Sequence, residues 1–196
     1  MEAAPRRKRE RRPPEVRRAQ ILDAAARVFV EKGPSVATMD DVAAEAGVAK
    51  GTVYLYFDSK ERLLLSLGNR YTEELVRRTG ELLEEDGPGS LLDRFYGFLE
   101  ELIDFHFAER DLHRLLFHGG AVSEAAATRE LRELLRGFIQ RGVASGEFEV
   151  TDTGFTADFL LQGLHGALVS ILHEPSPDRD RFLVPARESV RRLLCA

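Results

Sequence analysis

Thr38-Met39-Asp40-Asp41-Val42-Ala43-Ala44-Glu45-Ala46-Gly47-Val48-Ala49-Lys50-Gly51-Thr52-Val53-Tyr54-Leu55-Tyr56-Phe57-Asp58-Ser59-Lys60 reads as two short helices joined through a glycine, with a third beginning behind them. Thr38 and Asp41 have the [ST]-x-x-[DE] spacing that caps a helix start, and Asp40 and Asp41 suit the positive end of its dipole. Met39, Val42, Ala43 and Ala46 form its inner face. Gly47 supplies the left-handed residue that ends it. A second short helix runs over about 49–56, and Val53 and Phe57, four apart, face inward. Ser59 caps a long helix carrying Leu63, Leu64, Leu67, Tyr71 and Leu75. This layout is a helix-turn-helix.

The pattern stays helical on both sides. Before the pair, Ile21, Leu22, Ala25, Val28 and Phe29 fall on one face of a helix over 16–32, stopped by Gly33-Pro34. After the long helix, Glu84-Glu85-Asp86-Gly87-Pro88-Gly89 marks a boundary. Five helical segments follow, at about 90–107, 111–118, 123–144, 153–173 and 178–194, separated by Gly119-Gly120, by 142–154 and by Glu174-Pro175-Ser176-Pro177. No strand alternation persists, although 148–150 could be briefly extended. The expected fold is all-α: an N-terminal three-helix helix-turn-helix domain, a long linking helix and a C-terminal helical bundle. The expected divisions are a basic arm over 1–14, the domain proper over 15–60 with its helix-turn-helix at about 38–57, and the bundle over 61–196.

Charge is divided unevenly along these parts. The whole chain of 196 residues carries a formal net charge of −5, yet residues 1–70 hold 14 Lys and Arg against 10 Asp and Glu. The first 18 residues hold 8 against 3, mostly in Arg6-Arg7-Lys8-Arg9-Glu10-Arg11-Arg12 ahead of Pro13-Pro14. Such a run reads as a cationic arm for phosphate backbones, or else as a plain solvated tail. With 43% hydrophobic residues a core is available, which excludes whole-chain disorder. The lone Cys195 can make neither an internal disulfide nor a cysteine-based zinc site. The longest apolar stretch, 159–172, is short for a bilayer and contains Gln162 and His165, so no membrane partner is expected. No apolar run follows the basic N-terminus as in a secretory signal, and a cytoplasmic protein is the simplest expectation.

The second short helix has features that suit a duplex. Lys50 and Lys60 each stand near a helix N-terminus, where a cation opposes the dipole by up to about 1 kcal/mol. An approaching phosphate would reverse that sign. Gly51 inside a short helix costs about 1 kcal/mol relative to Ala, and it allows another molecule close to the backbone. Thr52, Tyr54 and Tyr56 offer short polar groups for phosphates and base edges.

The stretch over 21–64 resembles the TetR family of transcriptional regulators. The resemblance rests on Ile21-Leu22-Asp23-Ala24-Ala25, Phe29, Gly33, Thr38-Met39-Asp40-Asp41-Val42-Ala43, Ala46-Gly47-Val48, Lys50-Gly51-Thr52-Val53-Tyr54, Tyr56-Phe57 and Ser59-Lys60-Glu61. It implies a homodimer that binds a palindromic double-stranded operator and usually represses. It also implies a C-terminal domain that takes a small molecule and thereby loosens DNA binding. Carried over by position, Thr38 would cap its helix and meet a phosphate. Ala49, Lys50, Gly51 and Thr52 would face the groove, Tyr54 and Tyr56 would reach backbone, and Lys60 would clamp a phosphate. The second short helix contains no Arg, Asn or Gln, so base identity falls to Lys50, Thr52, methyl contacts or DNA shape.

In the bundle, the segment over 90–107 is apolar nearly all round, as a central helix is. Phe95, Phe98, Leu102, Phe105, Leu115, Phe138 and Phe159 are the expected wall of a pocket for a small hydrophobic or amphipathic molecule, with Gln162 and His165 as polar handles. The plain alternative is that these aromatics are ordinary core. For the dimer, Ala157, Leu161, Leu164, Leu168 and Leu172 form one stripe, and Phe182, Ala186, Val190, Leu193 and Leu194 another. Two such hairpins across a two-fold axis make a four-helix interface. His106, His113 and His118 are spaced too widely along the chain for one ion, so no metal is expected. No nucleophile elbow, phosphate loop or dinucleotide fingerprint calls for an enzyme or a cofactor. Two rivals stand beside the ligand-responsive regulator: a DNA-binding regulator with no small-molecule effector, and a helical enzyme or carrier domain with a vestigial DNA module.

Overall fold

A computed structural model describes residues 13–84, 89–118 and 125–195. Most of the expected arm over 1–14, most of the acidic boundary after Glu84 and the Gly119-Gly120 break lie outside the described residues. Among those described there are nine helices and no strand. They are α1 (Pro14–Lys32), α2 (Met39–Glu45), α3 (Lys50–Tyr56), α4 (Lys60–Glu84), α5 (Leu91–Ala108), α6 (Arg110–His118), α7 (Ala125–Ser145), α8 (Thr153–Leu172) and α9 (Arg179–Leu194). The chain divides into two compact units, Met1–Leu67 and Gly68–Ala196, with the division inside α4.

The first unit is built around α1, which buries Ile21, Leu22, Ala24, Ala25, Val28 and Phe29. Val42, Val53, Phe57, Leu63 and Leu67 complete that core. Each fully buried Leu, Val or Phe side chain contributes about 1.5–3 kcal/mol relative to exposure. Polar bonds then fix α2 on α1. Lys32 Nζ donates to Asp41 Oδ1 at 2.7 Å, Arg27 Nε to Glu45 Oε1 at 2.6 Å, and Gln20 Nε2 to the Ala46 carbonyl at 2.6 Å. The turn between α2 and α3 closes through Gly47 at φ 63, with Val48 N–H donating to the Ala43 carbonyl across it. Only a residue without a Cβ takes that φ without strain.

The second unit places α5 at its centre. Phe95, Phe98, Leu99, Ile103 and Phe105 are buried there, with Leu135, Phe138 and Ile139 of α7 and Leu168 and Leu172 of α8. Helix α9 packs on α5 and α8. After α7 the chain turns back so tightly that the Phe148 ring lies on Gly142, where a Cβ would come within 1.9 Å of it. The segment 148–150 forms no strand; Glu149 N–H donates instead to the Leu194 carbonyl at 2.7 Å.

Two expectations for α8 and α9 differ from what the structure places there. Ala157, Leu164, Leu168, Leu172, Phe182, Ala186, Val190 and Leu194 are buried within the one chain, Leu161 is half-buried, and only Leu193 of the expected interface is exposed. These stripes are consumed by packing on α5 and α7 and on each other. The apolar residues left outside are Phe155 and Phe159 on α8 and Val184 and Leu193 on α9. Helix α8 is also, by length and composition, apolar enough to cross a membrane. Its 20-residue span exceeds the run of 14 seen in the sequence, because the helix begins at Thr153, six residues before that run and on the far side of Asp158.

Candidate functional site

The helix-turn-helix presents one face to solvent because its other face is the core of the unit. Val53 and Phe57 point inward. Ala49, Lys50 and Gly51 are exposed, Thr52 and Tyr56 are half-buried, and Tyr54 is 44% exposed. A Cβ on Gly51 would meet nothing within 4 Å, so the backbone there is open to approach. Leu55, which the sequence reading passed over, is 80% exposed. The signal was available: with Val53 and Phe57 inward, a residue midway between them on a helix points out.

The lysines that stood against helix dipoles have partners inside the unit. Lys50 Nζ lies 2.9 Å from Asp40 Oδ1, and this bond raises the lysine's pKa. Lys60 Nζ donates to the Ala37 carbonyl at 3.2 Å. Part of the cost assigned to them from sequence is therefore offset without DNA. Each ammonium keeps further N–H donors. Thr38 is the cap of α2: its Oγ1 accepts from Asp41 N–H at 3.2 Å and donates to Asp41 Oδ2 at 2.7 Å. Its hydroxyl hydrogen is thus committed to Asp41. The Asp41 carboxyl is held down at about 2, first by Lys32 and then by Thr38, so this cap persists well into acid.

The second unit contains a cavity of about 70 Å³ between α4, α5, α6, α7 and α8. Of the expected wall, Phe98, Leu102, Gln162 and His165 line it. Phe95, Phe105 and Phe138 do not; they are buried in the aromatic core, where the Phe95 and Phe138 rings lie 5.8 Å apart. Leu115 is half-buried and off the cavity. Phe159 stands outside at 55% exposure, stacked on Phe155 at 6.2 Å, and borders a separate apolar groove with Gly163, Ala167, Pro185 and Leu193. An apolar helix with two usable faces gives no sequence signal for which face a given Phe takes.

The polar part of the cavity was missed in the sequence because it converges from three helices. Tyr71 of α4, His106 of α5 and His113 of α6 are all buried and all line it. The His106 and His113 ring centres are 5.2 Å apart, and those of His113 and His165 6.1 Å apart. Among the described residues no group of three or more His, Cys, Asp or Glu is arranged to hold a metal ion. Burial pushes the His106 imidazole down to about 4, and it pushes the Tyr71 phenol up. Both are neutral at pH 7. Asp158, one turn before Gln162 on α8, pairs with Arg132 of α7.

Residues 21–67 match the family described as bacterial regulatory proteins, tetR family. Over 126 residues the chain is 32% identical to the HTH-type transcriptional activator FasR of Mycolicibacterium smegmatis, covering 64% of this chain and 57% of that relative, less than two thirds of its length. Its fold is shared with SmeT, the repressor of the Stenotrophomonas maltophilia multidrug efflux pump SmeDEF, at 20% identity over 90% of this chain and 89% of the other with a TM-score of 0.75. The transcriptional regulator FadR from Bacillus subtilis, solved in complex with stearoyl-CoA, shares it too, at 21% identity over 87% and 95% with a TM-score of 0.70.

Proposed function

Residues 21–67 make this chain a tetR-family helix-turn-helix regulator, and from that premise we propose that it binds a palindromic operator as a homodimer and is released by a small, largely apolar effector. The observation that carries the DNA half is the row at the start of α3: exposed Ala49, Lys50 and Gly51 with half-buried Thr52, around an open backbone. In this reading Lys50 and Thr52 meet base edges. Tyr54, Tyr56 and Lys60 meet the phosphate backbone, Thr38 orders α2, and exposed Leu55 suits a thymine methyl.

The relatives include both an activator and a repressor by name. Repression is the reading adopted here, since a dimer seated on an operator excludes other proteins by occupancy alone. Dimerisation is assigned to α8 and α9. The stacked Phe155 and Phe159 and the groove bordered by Gly163, Ala167, Pro185 and Leu193 form a continuous exposed apolar surface. That surface replaces the buried stripes expected from sequence. The effector half rests on the cavity of the second unit, whose wall includes Tyr71 and Leu75 of α4. Helix α4 also carries Lys60 in its first turn. A ligand that prefers one setting of this helix shifts the population that binds DNA.

The deciding experiment is fluorescence anisotropy with the duplex upstream of the protein's own gene. Lys50→Ala and Thr52→Ala should lose sequence preference, while Lys60→Ala should weaken all duplexes alike. Binding unchanged in the first two would remove α3 from the interface. No binding to any nearby duplex would favour the vestigial-module rival.

A further inference from the structure

The cavity contains an unused donor and an unused acceptor. Tyr71 Oη is buried and has no hydrogen-bond partner among the described residues. Leaving a buried hydroxyl unpaired is costly, so such a group points to a missing partner. His106 Nδ1 lies 2.7 Å from the Leu102 carbonyl, which can only accept. Nδ1 therefore carries the proton, and in the neutral ring Nε2 is a lone-pair acceptor. The Tyr71 and His106 ring centres are 6.1 Å apart, nearly perpendicular, and both rings line the same cavity.

We propose that the cavity selects an uncharged, apolar molecule bearing a hydroxyl group, whose oxygen accepts from Tyr71 Oη–H and whose hydrogen is donated to His106 Nε2. The proposal rests on the effector reading above and names the chemistry of that effector. A hydroxyl is both donor and acceptor, which is what this pair lacks. An ether or ester oxygen only accepts, so it answers Tyr71 and leaves the imidazole lone pair bare. A carboxylate also only accepts, so it too leaves the imidazole lone pair bare, and it adds a charge to a largely apolar wall in which no Lys or Arg stands. At about 70 Å³ the cavity takes a head group and a few carbons. The remainder of the molecule leaves past half-buried Thr72 and Phe117 toward exposed Gln162. A linear alcohol fits that shape.

The test is isothermal titration of the full chain with 1-octanol, with methyl octyl ether and with octanoate. Native protein should bind octanol about tenfold more tightly than the ether, the worth of one added hydrogen bond of ~1.4 kcal/mol, and octanoate most weakly. Tyr71→Phe removes an unpaired buried hydroxyl, so its thermal midpoint should be unchanged or higher. Octanol and the ether should each weaken about tenfold, since each loses the bond from Tyr71, and the preference for octanol should remain. His106→Phe should bring octanol down to the ether and leave ether affinity unchanged. Equal binding of octanol and ether by native protein overturns the hydroxyl assignment and leaves the effector reading standing. So does a preference that survives His106→Phe, or octanoate binding best. Failure of octanol and the ether alike to bind removes the cavity as an effector site, and this proposal with it.

Discussion

On the proposed DNA face, Asp40 is the residue on which the charge turns. Its carboxylate sits 2.9 Å from Lys50 Nζ on an otherwise exposed surface. A base edge approaching Lys50 must compete with it. Asp40→Asn keeps the shape and removes the competitor, so operator affinity should rise about threefold to tenfold. A duplex of unrelated sequence should gain less, because Lys50 is assigned to base edges. Anisotropy titrations of both duplexes read the difference, and an equal gain on both would move Lys50 to the phosphate backbone. His106 makes a second prediction at this scale. Burial lowers its pKa to about 4, so the folded chain binds fewer protons than the unfolded chain, in which the ring titrates near 6.5. This contribution to stability is whole above about pH 6.5 and is lost as pH falls toward 4. Between pH 7 and 5 it amounts to about 2 kcal/mol. Asp41, at about 2, stays ionised throughout that window. Urea titrations at both pH values should show a smaller difference in His106→Phe than in the native chain.

At the scale of the element, helix ends were more legible than helix faces. Thr38, Ser90, Asp152 and Asp178 cap their helices, and each could be read from its own few residues. Faces depend on what lies opposite. The stripe Ala157, Leu164, Leu168, Leu172 is a true apolar face, and it is already buried within the single chain, where α8 packs on α7 and α9. Periodicity reports that a face is buried and is silent about which neighbour buries it. On α8 the opposite face is also apolar or small, through Phe155, Phe159, Gly163 and Gly166, so two stripes of similar quality competed. The mutational expectation changes accordingly. Phe159→Glu should yield folded monomers with native helix content by circular dichroism and half the native mass by light scattering. Leu168→Glu places a charge in a fully buried position and should unfold the chain, at a cost of several kcal/mol. Folded monomers from Leu168→Glu and native dimers from Phe159→Glu would restore the first assignment.

At the scale of the whole molecule, the first unit was nearly transparent in the sequence, since its helix-turn-helix, caps and turn are local. The cavity was not. Only Phe98, Leu102, Gln162 and His165 of its expected wall belong to it, while Tyr71, His106 and His113 meet there from three separate helices. Long-range convergence leaves no trace in spacing along one helix. The two proposed functions would be linked through α4, which begins in one unit and supplies Tyr71 and Leu75 to the cavity of the other. If occupancy of the cavity changes operator affinity by some factor, operator must change ligand affinity by the same factor, because both report one coupling free energy. With 1-octanol as the probe, the operator Kd measured at saturating alcohol and the alcohol Kd measured on the operator-bound dimer should move equally, by about fivefold to 150-fold. Tyr71→Phe should weaken alcohol binding and leave alcohol-free operator affinity as it was. An operator effect with no reciprocal change in alcohol affinity would mean that the alcohol acts elsewhere than on the dimer that holds DNA, and α4 would lose its place as the link.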